Sequence, residues 1–229
     1  SANVEIGAVN TTTGLTLTGN AGDNTLFGNN GDDVLIGGGG NDAMSGGDGD
    51  DTYVVDSLGD AVVENVGEGT DKVIATVNNV TLASNVEIGA VGLATGLTLT
   101  GNAGDNILFG ASGNDVLNGG AGNDAFAAGA GNDIINGGVG NDAMSGGAGD
   151  DTFVFTLGDG FDQVTDFTAG DSSGDLIALT GYGVASFAQL QAFMSQDGSD
   201  VKIAFDSNNQ ITLQGVTLGQ LNQNDFQLA

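Results

Sequence analysis

Residues Gly101 to Val154 read GNAGDNILF, GASGNDVLN, GGAGNDAFA, AGAGNDIIN, GGVGNDAMS and GGAGDDTFV, which is one nine-residue unit written six times without a slip. An earlier block, from Gly19 to Val54, reads GNAGDNTLF, GNNGDDVLI, GGGGNDAMS and GGDGDDTYV and holds four more copies. A fixed period of this kind indicates a repeat protein, in which each unit packs mainly on its neighbours. A disordered Gly/Asp-rich linker would not keep an apolar residue at position 8 and an Asp or Asn at position 6 in every unit.

The composition restricts the classes of function. The 229 residues include 43 Gly and no Pro, Cys or His, and 30 acidic against 2 basic residues give a net charge of −28. Such a chain lacks the basic stripe that phosphate contacts need, which excludes nucleic acids and anionic membrane surfaces as partners. No apolar run approaches the roughly 20 residues of a membrane span. Without Cys and His, any metal ligands must be oxygen atoms.

A longer duplication relates the two blocks. The segment NVEIGAV at Asn3 to Val9 recurs at Asn85 to Val91. The segment DAMSGG at Asp42 recurs at Asp142, and this displacement is larger by two units, so the second block has gained two units over the first. An increment of two units predicts that two units form one full coil. Because the chain lacks an N-terminal Met and a basic leader before an apolar segment, we expect it to begin inside a longer protein.

Each unit divides into a predicted turn and a predicted short strand. Positions 1 to 6 hold Gly, Asn, Asp and small residues, which favour turns, whereas position 8 lies at the centre of an apolar triplet. Alternation along a strand would point the position-8 side chains into a thin core. These side chains are Leu26, Leu35, Met44, Tyr53, Leu108, Leu117, Phe126, Ile135, Met144 and Phe153.

Position 6 carries the predicted metal ligands. If two units form one coil, each position-6 side chain faces the one two units further on. The resulting pairs are Asn24/Asp42, Asp33/Asp51, Asn106/Asp124, Asp115/Asp133, Asp124/Asp142 and Asp133/Asp151. Stacked carboxylates and glycine carbonyls form an all-oxygen pocket that suits Ca²⁺ better than Mg²⁺, with weaker sites where Asn replaces Asp. We therefore expect about six calcium ions and a chain that is largely unfolded without them.

The units resemble the RTX nonapeptide GGxGxDxUx. This resemblance implies an all-β fold, a right-handed parallel β-roll or β-solenoid with calcium between its turns. It also implies export by type I secretion machinery and a secreted or cell-surface location in a Gram-negative bacterium. The aspartates that match the family's ligand are Asp33, Asp42, Asp51, Asp115, Asp124, Asp133, Asp142 and Asp151, with Asn24 and Asn106 as weaker substitutes. Backbone carbonyls are expected from Gly28, Gly31, Gly37, Gly40, Gly46, Gly49, Gly110, Gly113, Gly119, Gly122, Gly131, Gly137, Gly140, Gly146 and Gly149. Ala128 departs from the pattern, because it replaces a glycine that was expected in a turn.

The rest of the chain divides around the two blocks. We expect truncated solenoid strands at residues 1–18, the first block at 19–54, an irregular β spacer at 55–100, the second block at 101–154, and a mainly β cap with an export signal at 155–229. In the spacer, Glu68 and Asp71 either bind calcium or form a solvated turn. At the junction with the cap, Asp159, Asp162 and Asp166 are candidates for one further calcium ion.

The predicted cap contains a short helix, at Ser186 to Gln196. Ser186 and Gln189 form a capping box, and Gly198 is the predicted stop. We expect Phe187, Leu190, Phe193 and Met194 to pack against the roll. The chain ends in DFQLA, from Asp225 to Ala229, as part of the expected export signal.

Catalytic patterns are weak in this sequence. The segment GDSSG around Ser172 fits a nucleophile motif, but the chain has no His to act as the base. Paired carboxylates occur in glycosidases, but the chain has no Trp to stack on a sugar. We therefore expect no enzyme activity. Two functions remain: an export and folding appendage of a larger extracellular protein, or a segment of a calcium-dependent surface-layer or adhesin protein that associates with other copies of itself.

Overall fold

A computed structural model describes residues 6–8, 12–170 and 174–229. Ser172 and parts of the segment 1–18 lie outside the described residues. The strands are β1 (Ile6–Ala8), β2 (Thr16–Asn20), β3 (Thr25–Asn30), β4 (Val34–Gly38), β5 (Ala43–Asp48), β6 (Thr52–Val55), β7 (Ala61–Val62), β8 (Lys72–Ala75), β9 (Val80–Thr81), β10 (Ile88–Val91), β11 (Thr98–Thr100), β12 (Ile107–Phe109), β13 (Val116–Ala121), β14 (Ala125–Ala130), β15 (Ile134–Val139), β16 (Ala143–Ala148), β17 (Thr152–Thr156), β18 (Phe161–Val164), β19 (Leu176–Thr180), β20 (Met194–Asp197), β21 (Asp200–Ala204), β22 (Gln210–Leu213) and β23 (Phe226–Leu228). One short helix, α1 (Phe187–Leu190), and two 3₁₀ segments, Gln191–Phe193 and Gln223–Asp225, complete the elements.

The strands wind into a parallel solenoid with two faces. The even-numbered strands β2 to β18 form one continuous face, which β22, β21 and β20 extend to a 12-stranded sheet. The odd-numbered strands form the other face, in a four-stranded sheet from β1 to β7 and a seven-stranded sheet from β9 to β19 and β23. All pairs are parallel except those that join β20 to β21 and β21 to β22. The predicted all-β parallel solenoid is confirmed.

The register within the blocks confirms the predicted coil length. Thr25 lies opposite Ala43 in β3 and β5, and Ala125 lies opposite Ala143 in β14 and β16, so one coil takes two units. The position-8 side chains of all ten units point between the two faces and are at most 5 % exposed. Because each coil places the same side chain at the same level, these residues form a continuous stack, as predicted.

The strands extend further into each unit than predicted. β3, for example, covers positions 7 to 9 of one unit and positions 1 to 3 of the next, so the prediction of a turn over positions 1 to 6 is wrong for the first positions. Glycine at position 1 instead lets neighbouring coils approach. A Cβ on Gly19 would lie 2.2 Å from the carbonyl oxygen of Gly37, one coil away. The turn itself uses glycine at position 4, where Gly31 (φ 96°) and Gly40 (φ 115°) adopt positive φ.

The residues between the blocks continue the solenoid with irregular coils. Thr52 lies opposite Lys72, which makes that coil longer than two units, and Lys72 lies opposite Ile88, which makes the next coil shorter than two units. The even face passes through this region without interruption, whereas the odd face is broken between β7 and β9. A cavity of about 370 Å³ lies at the break, with Val62 and Val80 among the residues that line it.

The predicted helix in the last segment is shorter in the structure. Ser186 Oγ accepts a hydrogen bond from the Gln189 N–H (3.4 Å), as a capping box requires, but Gln189 Oε1 accepts from the N–H of Ala185 (2.8 Å) and not from that of Ser186. The helix ends at Leu190, and Gln196 lies in β20. Gly198, the predicted helix stop, has a φ of 64° and lies in the turn between β20 and β21. Antiparallel pairing with β21 therefore prevails over the local helical pattern.

The apolar face of this segment packs as predicted. Leu190 is fully buried, and Phe187, Phe193 and Met194 pack against the core. The chain end also belongs to the fold, because β23 pairs with β19 and the Ala229 N–H donates to the Leu179 carbonyl (3.1 Å). None of the helices in the described residues has the length and hydrophobicity to span a membrane.

Candidate metal centre

The position-6 side chains form ladders along the two edges of the solenoid. Each aspartate Oδ1 at this position accepts a hydrogen bond from a backbone N–H one coil earlier, as when Asp51 accepts from Asp33 (2.6 Å) and Asp133 accepts from Asp115 (2.7 Å). The ladders run Asn24, Asp42, Asp60; Asp33, Asp51, Asp71; Asn106, Asp124, Asp142, Asp162; and Asp115, Asp133, Asp151, Asp175. Position-6 residues of the ten units are at most 4 % exposed. The predicted neighbours therefore do meet, while their role as ligands stays a prediction.

The second carboxylate oxygen of most of these aspartates has no hydrogen-bond partner. The buried, unpartnered Oδ2 atoms belong to Asp33, Asp42, Asp51, Asp124, Asp133, Asp142 and Asp151. A buried carboxylate oxygen without a partner is costly, because it has lost its hydration. The one salt bridge in the described part of the chain joins Lys202 to Asp197 and leaves these oxygens uncompensated. They therefore fit the requirement for ligands of a cation.

Main-chain oxygens converge with these carboxylates beside the position-1 glycines. A Cβ on Gly28 would lie 2.3 Å from Asp33 Oδ2 and 2.6 Å from the Gly46 carbonyl oxygen. The same space beside Gly119 is bounded by Asp124 Oδ2 at 2.1 Å and by a carbonyl oxygen at 2.4 Å. Glycine keeps this space free of side-chain atoms, and the oxygens around it are of the hard type that Ca²⁺ prefers.

The predicted carbonyl ligands fall into two structural groups. The position-1 glycines lie next to the carboxylates, on strands except for Gly110, which directly follows β12; they are Gly28, Gly37, Gly46, Gly110, Gly119, Gly137 and Gly146. Position-4 glycines lie in the turns with positive φ, and are Gly31, Gly40, Gly49, Gly113, Gly122, Gly131, Gly140 and Gly149. Ala128 is a position-1 residue and lies buried in β14, so the expectation of a turn at this position is wrong. Asp133 in the same unit keeps its unpartnered oxygen.

The backbone conformation at position 2 differs between the units whose position-6 carboxylate has an unpartnered oxygen and the other three units. We call a unit open when the second oxygen of its position-6 carboxylate is buried and has no partner. Position 2 has positive φ in all seven open units, at Asn29, Gly38, Gly47, Gly120, Gly129, Gly138 and Gly147. In the other three units it does not, and there the position-2 N–H donates to the position-6 side chain. These contacts are Asn20 to Asn24 (2.6 Å), Asn102 to Asn106 (2.7 Å) and Ala111 to Asp115 (3.0 Å).

Asp115 therefore differs from the other predicted aspartate ligands. Its Oδ1 accepts from the Leu97 N–H (2.8 Å) and its Oδ2 accepts from Ala111, so both oxygens already have partners. The motif alone does not distinguish Asp115 from the open aspartates, because its position 6 is intact. The weaker calcium binding expected of Asn24 and Asn106 stays a prediction.

Burial makes the charged form of these carboxylates unfavourable. It raises the pKa of Asp51 to about 7 and that of Asp142 to about 6, from an ordinary value of 3.8, and backbone hydrogen bonds oppose the shift only in part. Neighbouring acids add to the increase. A bound cation acts in the opposite direction, because it favours the ionised form.

The two spacer candidates have different surroundings. Asp71 is buried and accepts the Asp51 N–H (2.9 Å), so it continues a ladder. Glu68 lies in a partly exposed turn, where its carboxylate accepts from the backbone N–H and the side-chain amide of Asn65. These hydrogen bonds lower the pKa of Glu68. The surroundings of Asp71 therefore suit a calcium ligand, whereas those of Glu68 suit a solvated turn.

The structure does not bring the three junction acids together. Asp162 continues a ladder by accepting the Asp142 N–H (3.0 Å), and burial raises the pKa of Asp162 to about 7. Asp159 is also buried and adds to the negative charge around Asp142. Asp166 instead accepts the Gly146 N–H (3.0 Å), on the edge that carries the other ladder. The predicted single site is wrong, because Asp162 lies near the start of β18 and Asp166 lies beyond its end, at the opposite edge.

Two further ladder members were missed in the sequence. Asp60 accepts the Asp42 N–H (3.0 Å) and Asp175 accepts the Asp151 N–H (2.9 Å). Counting the nine-residue period past the first block finds Asp60. No fixed period finds Asp175, because the coil that separates it from Asp151 is longer than two units.

Comparison with protein families agrees with this geometry. The family model of the RTX calcium-binding nonapeptide repeat (4 copies) matches residues 18–53, 98–126, 119–153 and 128–164. The endo-1,3-1,4-beta-glycanase EglC of Rhizobium meliloti (strain 1021) is 35 % identical over 78 residues, which are 34 % of this chain and 16 % of that protein. The crystal structure of the extracellular lipase LipA from Serratia marcescens aligns with 94 % of this chain and 38 % of its own, at 23 % identity and a TM-score of 0.34. This chain thus spans less than half the length of either protein.

Proposed function

Because residues 18–53 and 98–164 carry RTX calcium-binding nonapeptide repeats, we propose that this chain is a calcium-folded module of a larger secreted protein. The module is unfolded at low calcium, leaves a Gram-negative cell through type I secretion machinery, and folds outside where calcium binds. It serves as the export and folding appendage of the protein to which it belongs. The observation that carries the proposal is the set of seven buried aspartate oxygens without partners.

Without calcium, the folded solenoid buries seven aspartate oxygens that lack a partner. Each buried polar group without a partner costs about 1 to 3 kcal/mol, and more when it is charged, so seven cost at least about 7 to 20 kcal/mol. This sum is as large as the whole stability of a typical domain, about 5 to 15 kcal/mol. Repulsion within a chain of net charge −28 adds to the cost. The calcium-free chain is therefore unfolded at neutral pH.

The residues of the open units would hold the ions. Asp Oδ2 atoms and position-1 carbonyls from the next coil supply hard oxygen ligands from two coils at once. Bound Ca²⁺ supplies the positive charge that compensates these oxygens. In the folded solenoid, the ladder hydrogen bonds to Oδ1 fix the orientation of each carboxylate toward the ion.

Circular dichroism and size-exclusion chromatography of the full chain test the folding proposal. We expect a coil spectrum and a large hydrodynamic radius in EDTA, and a β-rich spectrum and a compact chain in CaCl₂, with little effect of MgCl₂. Asp133→Asn should raise the calcium concentration at the folding midpoint. Asp48→Asn, at an exposed site, removes the same charge and should leave the midpoint almost unchanged. A compact β-rich chain in EDTA would disprove the proposal.

The export role requires a separate experiment. Residues 155–229 are the proposed cap and export signal, ending in the segment Asp225 to Ala229. Expression of the full chain in a Gram-negative host with and without a type I exporter should place the chain in the medium only when the exporter is present. Equal amounts in both media would contradict this role and leave calcium folding intact.

A surface-layer or adhesin segment is a second candidate, and the duplication favours it. The duplication relates β3 to β12, nine strands later, which is four and a half coils. β3 lies in the odd face and β12 in the even face, so successive copies present the same surface on alternate sides. Light scattering and electron microscopy in CaCl₂ would show ordered assemblies if this candidate is correct. A chain that stays monomeric in saturating calcium would exclude it.

A further inference from the structure

Three buried carboxylates meet where the first block passes into the spacer. One oxygen from each of Asp51, Glu64 and Asp71 lies within 4.8 Å of the other two. All three residues are at most 7 % exposed. In residues 6–8, 12–170 and 174–229, this is the one group of three or more potential metal ligands with such spacing.

Glu64 reaches this group because of its register position. β7 pairs with β5 at the two-unit offset of the blocks, and the Val63 N–H donates to the Met44 carbonyl (3.0 Å). This register puts Glu64 level with Gly46, a position-1 glycine. The spacer thus replaces a residue that offers only a carbonyl by one that also offers a carboxylate. Sequence reasoning missed Glu64, although a count of two units from Gly46 finds it.

The group contains oxygens that have no partner. Asp51 Oδ2 and Glu64 Oε2 are buried without hydrogen bonds. The Tyr53 hydroxyl donates to Glu64 Oε1 and accepts from the Gly46 N–H (2.6 Å), so Glu64 is held with one oxygen left over. A Cβ on Gly46 would lie 1.9 Å from Asp51 Oδ2 and 2.5 Å from the Tyr53 hydroxyl oxygen, which shows that the open side of Gly46 faces the same space.

The charge around the group is negative throughout. Glu87 Oε2 accepts the Asp71 N–H (2.9 Å), which brings a further acid to its border. Lys72 follows Asp71 in the chain but forms no salt bridge within the described residues. The three carboxylates thus face each other without a basic partner, and a divalent cation is the charge they lack.

We propose that Asp51, Glu64 and Asp71 form a calcium site of a different kind from the repeat sites, with three carboxylates. The inference rests on the proposed function in that calcium is the ion the chain takes up. Ligand charge is one of the factors that set calcium affinity, so this site fills at lower calcium than the sites of the other six open units. Because Asp51 belongs to the first block and the other two ligands to the spacer, filling it joins these two parts of the solenoid first.

Tyr53 provides a local reporter for this site. Tb³⁺ occupies calcium sites and emits when a neighbouring tyrosine is excited, and the chain has 2 Tyr and no Trp. The other tyrosine, Tyr182, lies in the last segment, where its hydroxyl donates to the Thr156 carbonyl (3.0 Å). Titration of the full chain with Tb³⁺ should give emission that persists in Tyr182→Phe, and Ca²⁺ should displace it.

The decisive variant is Glu64→Gln, which keeps the size of the side chain and an oxygen for Tyr53. We expect it to raise the apparent Kd for Tb³⁺ at this site by at least about tenfold. Asp48→Asn is the control, because Asp48 is an exposed acid of the first block that belongs to none of the ladders. Circular dichroism should still show calcium-dependent folding of Glu64→Gln through the repeat sites.

The outcomes separate this inference from the proposed function. If Glu64→Gln binds Tb³⁺ and Ca²⁺ as tightly as the wild type, the three-carboxylate site is wrong and calcium folding stands. If the wild type shows no calcium-dependent folding, the proposed function itself fails. If Glu64→Gln does not fold in saturating calcium, the Tb³⁺ titration is repeated with Asp71→Asn. An unchanged Kd for Tb³⁺ in that variant would disprove the three-carboxylate site.

Discussion

Replacing Ala111 by glycine should open a calcium site that the wild-type chain keeps closed. The Ala111 N–H donates to Asp115 Oδ2 (3.0 Å), whereas position 2 of the open units has positive φ, as at Gly120 (111°) and Gly129 (109°). The left-handed conformation costs a residue with a Cβ about 1 to 2 kcal/mol, and glycine avoids this cost. We therefore expect Ala111→Gly to adopt positive φ when calcium is present, which releases Asp115 Oδ2.

The remaining oxygens of such a site are already in place. A Cβ on Gly110 would lie 1.9 Å from the carbonyl oxygen of Ala128 and 2.9 Å from Asp115 Oδ2, so both oxygens border the same space. At about a hundred times its Kd, one additional site stabilises the fold by about 2.7 kcal/mol. Glycine costs about 0.5 to 1 kcal/mol relative to alanine. Relative to the wild type, the free energy of unfolding of Ala111→Gly should be about 2 kcal/mol higher at high calcium. It should be about 0.5 to 1 kcal/mol lower while the new site is empty.

Calorimetric titration and urea unfolding at several calcium concentrations measure the two parts of this prediction. Ala111→Gly should bind one more ion than the wild type, and its stability relative to the wild type should change sign as calcium rises. Ala103→Gly is the control, because Ala103 is exposed at position 3 of the neighbouring unit. It carries the same glycine cost and gains no site. An Ala111→Gly protein with the wild-type ion count, less stable at every calcium concentration, would refute the role of position 2.

Three further outcomes follow from the same geometry. Gly37→Ala should remove one calcium ion in a titration, because its Cβ would lie 2.0 Å from Asp42 Oδ2, whereas Gly39→Ala, whose nearest neighbour would be 3.7 Å away, should keep the ion count. Burial raises the pKa of Asp142 to about 6 and of Asp162 to about 7, from the ordinary pKa of 3.8. The protonated carboxyls therefore stabilise the calcium-free fold fully below pH 3.8, and this stabilisation is lost as the pH rises through about 6 to 7. Circular dichroism in EDTA should thus show more β-structure at acid pH than at neutral pH, and a β-content independent of pH would contradict it. Calcium affinity should fall as the pH drops through about 7 to 6, because the carboxylate ligands must be ionised to bind the ion. A calcium-electrode titration that shows the same affinity across this range would argue against carboxylate ligands.

The parts of the fold that were predicted correctly depend on the repeat itself. Leu117 and Asp133 lie in register with equivalent residues two units away. The apolar triplet of one unit was enough to predict the burial of position 8, and the two-unit increment between the blocks was enough to predict the contact at position 6. The helix in the last segment was predicted too long because its local pattern favours helix up to Gln196, whereas pairing between β20 and β21 makes that residue part of a strand. Position 1 was assigned to a turn because glycine favours turns, and the proximity of the next coil is not visible in one unit.

A strict nine-residue period is enough to establish a parallel solenoid with an apolar stack inside and acidic edges, because it gives every unit the same local environment. Which acids share a space, and which oxygens remain without partners, depends instead on how the coils stack. Glu64 joins Asp51 and Asp71, Asp166 separates from Asp162, and Ala111 closes the carboxylate of Asp115. The physical reason is that the acid contacts along the ladders join residues a full coil apart, and irregular coils shorten or lengthen that offset in ways that no local pattern shows.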